Sequence, residues 1–196
     1  PPPHHSAQTT AGAPRWHALA LLLVLLAVIA AGVASRGVTA PVDADAATDV
    51  FSAERASQAV APVVAEPRPV GSTANDRAHT ELSEQLDALG FETRAQEGLG
   101  VRENGDEASS GYVRNLVATR PGSDPTGTIV LATHIDSVPN APGAADAGVG
   151  LAVILETVRA LGPEALRNDL VVLLVDGEER GLLGAEAYLT DGAEEL

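Results

Sequence analysis

The sequence contains no cysteine and no lysine. The missing thiol excludes a cysteine nucleophile, a thiolate metal site and any disulfide. The missing amine excludes Schiff-base chemistry and a P-loop cation, and leaves arginine as the source of all twelve basic residues. Those twelve face 27 acidic residues, a formal net charge of -15, so an electrostatic grip on a phosphate backbone is disfavoured and nucleic acid is not an expected partner. There is also no G-x-S-x-G elbow and no H-E-x-x-H helix motif. What remains is a chain of 196 residues, 45% hydrophobic, long enough for one modest domain.

Composition divides the chain into four parts. Residues 1–15, PPPHHSAQTTAGAPR, are proline-rich, carry no acid and read as a disordered tail, in which His4 and His5 are incidental rather than a metal tract. Residues 16–36 hold an uncharged run from 18 to 34. At about 1.5 Å per residue a helix there reaches across a hydrocarbon core of roughly 30 Å, with Trp16 at one interface. The run exceeds the roughly 7 to 15 apolar residues of a signal h-region, which favours an uncleaved transmembrane signal-anchor over a signal peptide cleaved near Ala34, and Arg15 and Arg36 flank it almost symmetrically, so the flanking charges do not set its orientation. Every acidic residue lies beyond Ala40. Residues 37–50 read as a linker and residues 51–196 as a folded domain facing the extracytoplasmic side.

Within that domain, FSAERASQAVAPVV (51–64) predicts a helix capped by Ser52. Pro67 and Pro69 are expected to stop it, Gly71-Ser72 opens a second helix, and Leu82, Leu86 and Leu89 share one face of it before Gly90, a suitable left-handed C-cap. A strand is expected at 91–96, then a polar loop, GLGVRENGDEASS. Further strands are expected at 111–120, 127–133 and 168–176. The last two are continuous apolar runs, the pattern of strands buried on both faces of a sheet. A helix at 148–161 lies between them, so strand, helix and strand form a parallel crossover. The expected fold class is α/β: a three-layer αβα sandwich on a mostly parallel or mixed central sheet.

In open α/β sheets, sites form beyond the carboxyl ends of the strands. There TIVLAT runs into His134-Ile-Asp136, and LVVLLV runs into Asp176-Gly-Glu178-Glu179. Asp146 arrives from the intervening loop and could equally cap the following helix. One histidine with several carboxylates and no cysteine suits zinc or a similar divalent ion. Adjacent Glu178 and Glu179 leave the strand in different directions, so one can ligate while the other acts as a base. Gly148-Val-Gly150 before an apolar helix offers a nucleotide-binding alternative, but about fourteen residues separate it from the strand that a dinucleotide fingerprint follows directly.

The order strand, HIDSVPNAPGAADAGVG, helix, strand, DGEERGLLGAEAYL resembles the M28 family of zinc metallopeptidases, and EPRPVGSTAND (66–76) resembles the preceding segment in its membrane-bound, vacuolar or endoplasmic-reticulum members. The resemblance implies a zinc-dependent exopeptidase acting on peptides, with two zinc ions in a complete site. His134 would ligate one zinc, Asp146 would bridge both, Glu179 would ligate the other, Glu178 would be the general base and Asp136 would orient His134. Ala147 departs from the acidic residue or asparagine frequent in the family, at a peptide bond often cis there. The departure touches the local backbone more than ligation. The resemblance further implies another carboxylate and a final histidine downstream of Glu179, so the chain reads as an N-terminal part. The alternative is a non-catalytic M28-like ectodomain serving as a binding or scaffold module, which the presence of His134, Asp146, Glu178 and Glu179 disfavours.

Overall fold

The computed structural model describes residues 15–35, 37, 40–105, 107–162 and 166–191. The expected tail, with His4 and His5, lies outside the described residues apart from Arg15. The chain divides into two compact units, 1–40 and Pro41–Leu196. The first contains helix α1 (Arg15–Ser35), whose large apolar side chains are exposed.

The second unit contains helices α2 (Ala53–Val60), α3 (Thr73–Ala88), α4 (Gly148–Ala160) and α5 (Leu183–Asp191). Its strands are β1 (Glu92–Asn104), β2 (Glu107–Arg120), β3 (Thr128–His134) and β4 (Asp169–Val175). The sheet order is β1-β2-β4-β3, antiparallel except for the β3–β4 pair, so the sheet is mixed. Alternate residues of β4 supply two cores. Leu170, Val172 and Leu174 join α2, α3 and α4 in the larger cluster, and Val171 and Leu173 pack with Val117 and Tyr188 of α5 on the other face. Helices cover both faces, as a three-layer sandwich requires.

Local chemistry explains the helix ends. Ser52 Oγ accepts from Arg55 N–H (3.2 Å) and Ser72 Oγ from Asn75 N–H (3.1 Å), each satisfying a donor that the first turn leaves open. At the end of α3, Gly90 N–H donates to Asp87 O and Phe91 N–H to Leu86 O, the paired bonds of a Schellman cap.

Four expectations need correction. Helix α2 stops at Val60 rather than 64, because Pro62 has no N–H to continue the ladder. The polar stretch expected as a loop is a long hairpin in which β1 and β2 pair as far as Asn104 and Glu107. Gly105, at φ 64° in the two-residue link between Asn104 and Glu107, is the sequence signal for that turn, and ladder hydrogen bonds do not need an apolar face. Strand β3 is not buried on both faces: it lies at the sheet edge, and Ile129 and Val130 are 47% and 40% exposed. Asp146 caps no helix, since Ala147 occupies the N-cap position of α4 without a side-chain bond.

Candidate functional site

Strands β3 and β4 run parallel with His134 opposite Val175, so both end on one edge of the sheet. Ile135 N–H donates to Val175 O (2.7 Å) and carries the ladder one residue further. Beyond β4 the chain turns at Gly177 (φ 66°), a left-handed position that glycine adopts without steric cost, into a 3-10 turn, Glu178–Arg180. These turns bring one imidazole and several carboxylates together.

His134 is buried, and both its ring nitrogens face oxygen. Nδ1 lies 3.1 Å from the backbone carbonyl of Asp136, and Nε2 lies 2.9 Å from Asp146 Oδ1 and 3.9 Å from Glu178 Oε2. Burial pulls the imidazole pKa down, but hydrogen bonds to Asp136 and Asp146 and the charges of Asp136 and Glu178 outweigh it and raise it to about 9. The ring is therefore held as imidazolium between acceptors, and a metal at Nε2 would take the place of a proton there. Burial also pushes the Glu179 carboxyl up, reinforced by the charge of Asp146.

Asp136 is fully buried. Its carboxylate approaches His134 Nδ1 at 3.5 Å and also accepts two backbone hydrogen bonds, Oδ1 from Glu178 N–H (3.0 Å) and Oδ2 from Glu179 N–H (3.2 Å). One side chain thus links the loop after β3 to the backbone of the two glutamates after β4. Asp176 makes a second brace. It accepts from Asn75 Nδ2, Arg114 N–H and Gly177 N–H, while its own N–H donates to Asn115 Oδ1. Burial raises the Asp176 pKa, and these donors counter the shift. Asn75 and Asn115 carried no motif that would single them out. Arg68, also buried, lies in the 66–76 segment and likewise carried no motif.

The Asp146–Ala147 peptide bond is cis. An imidazole nitrogen and carboxylate oxygens facing one another are donors of the kind zinc takes. Among the described residues no three histidine, aspartate or glutamate side chains are gathered closely enough to form a complete metal cage.

Residues 115–195 match the model of peptidase family M28. The chain is 32% identical over 125 residues to a vacuolar membrane protease of Candida albicans, a match covering 63% of this chain. The chain spans 15% of that relative's length. Among solved structures, a Zn-dependent exopeptidase from Parabacteroides distasonis superposes with a TM-score of 0.61 at 21% identity, covering 75% of this chain and 58% of that one. A glutaminyl cyclase from Porphyromonas gingivalis superposes equally well, with a TM-score of 0.61 at 23% identity, covering 73% and 54%. The two superpositions establish the fold, which an exopeptidase and a cyclase share. The family match runs from within β2 to α5 and takes in both strand-end motifs, so this part of the chain is similar to peptidase family M28.

Proposed function

We propose that the domain is a zinc-dependent exopeptidase, in the first place an aminopeptidase, hydrolysing the peptide bond next to a free terminus. The observation that supports this reading is the meeting of His134, Asp146 and Glu178 beyond two parallel strand ends, with His134 Nε2 2.9 and 3.9 Å from the two carboxylates. His134, Asp146 and Glu179 would hold the metal, which would be zinc, two ions in the complete site. Bound there, zinc would polarise the scissile carbonyl and lower the pKa of water towards about 7.

The chain's own residues supply the rest. Glu178, part-exposed beside His134, takes a proton from the attacking water and returns it to the leaving amine. Asp136 holds the backbone of Glu178 and Glu179, so that base and ligand keep their separation. Helix α1 serves as a membrane span, with the peptidase domain on the extracytoplasmic side.

In the natural full-length protein, Glu178→Gln is expected to lower release of the N-terminal residue from peptides by about 10² to 10⁴-fold while zinc content, measured by atomic emission, stays unchanged. Retained turnover would overturn the role of Glu178. Chromatography of the products separates the two activities found on this fold: a free amino acid supports the peptidase, and a pyroglutamyl peptide of unchanged length overturns it.

A further inference from the structure

Arg68 is a fully buried cation whose hydrogen bonds go to main-chain oxygens and not to a carboxylate. Its guanidinium Nε donates to Ile135 O (2.5 Å) and Nη1 donates to Pro142 O, while Nη2 has no hydrogen-bond partner among the described residues. The backbone of the same residue pairs with Ser137: Arg68 N–H donates to Ser137 Oγ (3.0 Å) and Ser137 N–H to Arg68 O (3.3 Å). Ser137 Oγ in turn donates to Ala141 O (2.9 Å).

Every group that Arg68 touches through these donors therefore lies in residues 135–142. That stretch begins where β3 ends and finishes four residues before Asp146, so apart from Ile135 no strand or helix ladder shapes it. Among the described residues no carboxylate bonds to the guanidinium, and the charge of Asp136 offsets its burial only in part; leaving one nitrogen unpaired adds to that cost. The cation is not there to satisfy itself. Its distinctive property is a rigid planar fork, able to hold two carbonyls seven residues apart in one plane, which the single ammonium of lysine cannot do.

We infer that Arg68 is a positioning residue that closes the 135–142 loop from behind, setting the approach of Asp146 to His134 across the eleven residues that separate them. The inference rests on the reading of His134 and Asp146 as metal ligands. Asp136, buried in the same loop, extends the effect: the loop that Arg68 fixes carries the carboxylate that holds Glu178 and Glu179. One arginine outside the site thus sets ligands from both strand ends.

The test uses Co²⁺ in place of zinc, in the natural full-length protein, because its visible absorption reports ligand geometry directly. Arg68→Lys and Arg68→Ala are compared with wild type at a temperature where their far-ultraviolet circular dichroism matches. Both are expected to bind Co²⁺ about 10 to 100-fold more weakly, the range seen when groups supporting metal ligands are removed, and to shift the visible bands. Added guanidinium ion is expected to restore the band positions of Arg68→Ala, and added methylammonium is not. Wild-type affinity and spectrum in both variants would overturn the role of Arg68, as would equal rescue by the two cations. If neither variant folds, Ser137→Ala decides, since it loosens the same loop without removing a charge: weakened Co²⁺ binding supports the inference and unchanged binding overturns it. A wild type that takes up no Co²⁺ overturns the metal reading itself, and this inference with it.

Discussion

At the scale of single residues, what matters is how tightly the loop between His134 and Asp146 is packed. Gly143 sits at φ 60°, and a Cβ there would lie 2.4 Å from Asp146 O and 2.8 Å from Ser137 Cβ. Neither contact can be relieved by a flexible side-chain tip, since one atom is backbone and the other is the root of a side chain. Gly143→Ala is therefore expected to displace Asp146 and to lower stability by about 1 to 3 kcal/mol, the usual cost of a strained backbone position. Zinc titration calorimetry and thermal melts check it, and a variant with unchanged zinc affinity would show that the loop tolerates the shift. The sequence made His134, Asp136 and Asp146 visible as candidates through their place after an apolar run. It did not show that the Asp136 carboxylate bonds to Glu178 and Glu179 N–H, because a contact across 42 residues leaves no local pattern. Arg68 was hidden for the same reason: its partners lie 67 and 74 residues away.

At the scale of elements, apolar runs told strand from helix but not centre from edge. Strands β3 and β4 have similar composition, yet only β4 is flanked on both sides, by β2 and β3. The apolar run reports what a strand can bury, whereas burial depends on which neighbours the topology supplies. Helix positions were legible because capping is local: Ser52, Ser72 and Gly90 act within a few residues of themselves. The hairpin went unread because its outer residues are polar and its signal is a single glycine, Gly105. The contrast between the two strands gives a stability prediction. Leu174→Ala, at a site 1% exposed in the larger core, is expected to cost about 2 to 5 kcal/mol, and Ile129→Ala less than about 1 kcal/mol. Urea unfolding of the two variants measures the difference, and equal costs would mean that β3 is covered in solution.

At the scale of the whole molecule, the segment that precedes α2 is tied to the domain by one buried carboxylate. Glu156, on α4 and 2% exposed, accepts from Ser52 N–H (2.8 Å), Arg55 Nε (3.2 Å) and Arg159 Nε (2.6 Å). Both paired to this one carboxylate, the two arginines spend their remaining donors on backbone carbonyls of the preceding segment: Arg55 on Ala44, Ala46 and Val50, Arg159 on Thr48 and Val50. Burial pushes the Glu156 carboxyl up, but the Arg159 hydrogen bonds, the Ser52 N–H and the charges of Arg159 and Arg55 together hold it below the ordinary carboxylate range. A carboxyl whose folded pKa is depressed contributes stability that is fully present above its unfolded pKa of about 4.3 and is lost as pH falls through the folded value. Glu156→Ala is accordingly expected to cost about 3 to 5 kcal/mol at neutral pH, because it leaves Arg55 and Arg159 without their partner, and to expose residues 44–50 to limited proteolysis. Glu156→Gln keeps the shape but not the charge, so its deficit relative to wild type should shrink as pH is lowered below about 4, where wild type begins to lose the same interaction. Denaturant unfolding of wild type and Glu156→Gln across that range decides the matter: converging stabilities place the segment's anchorage on the Glu156 charge, and curves that stay parallel down to the lowest pH place it on packing instead.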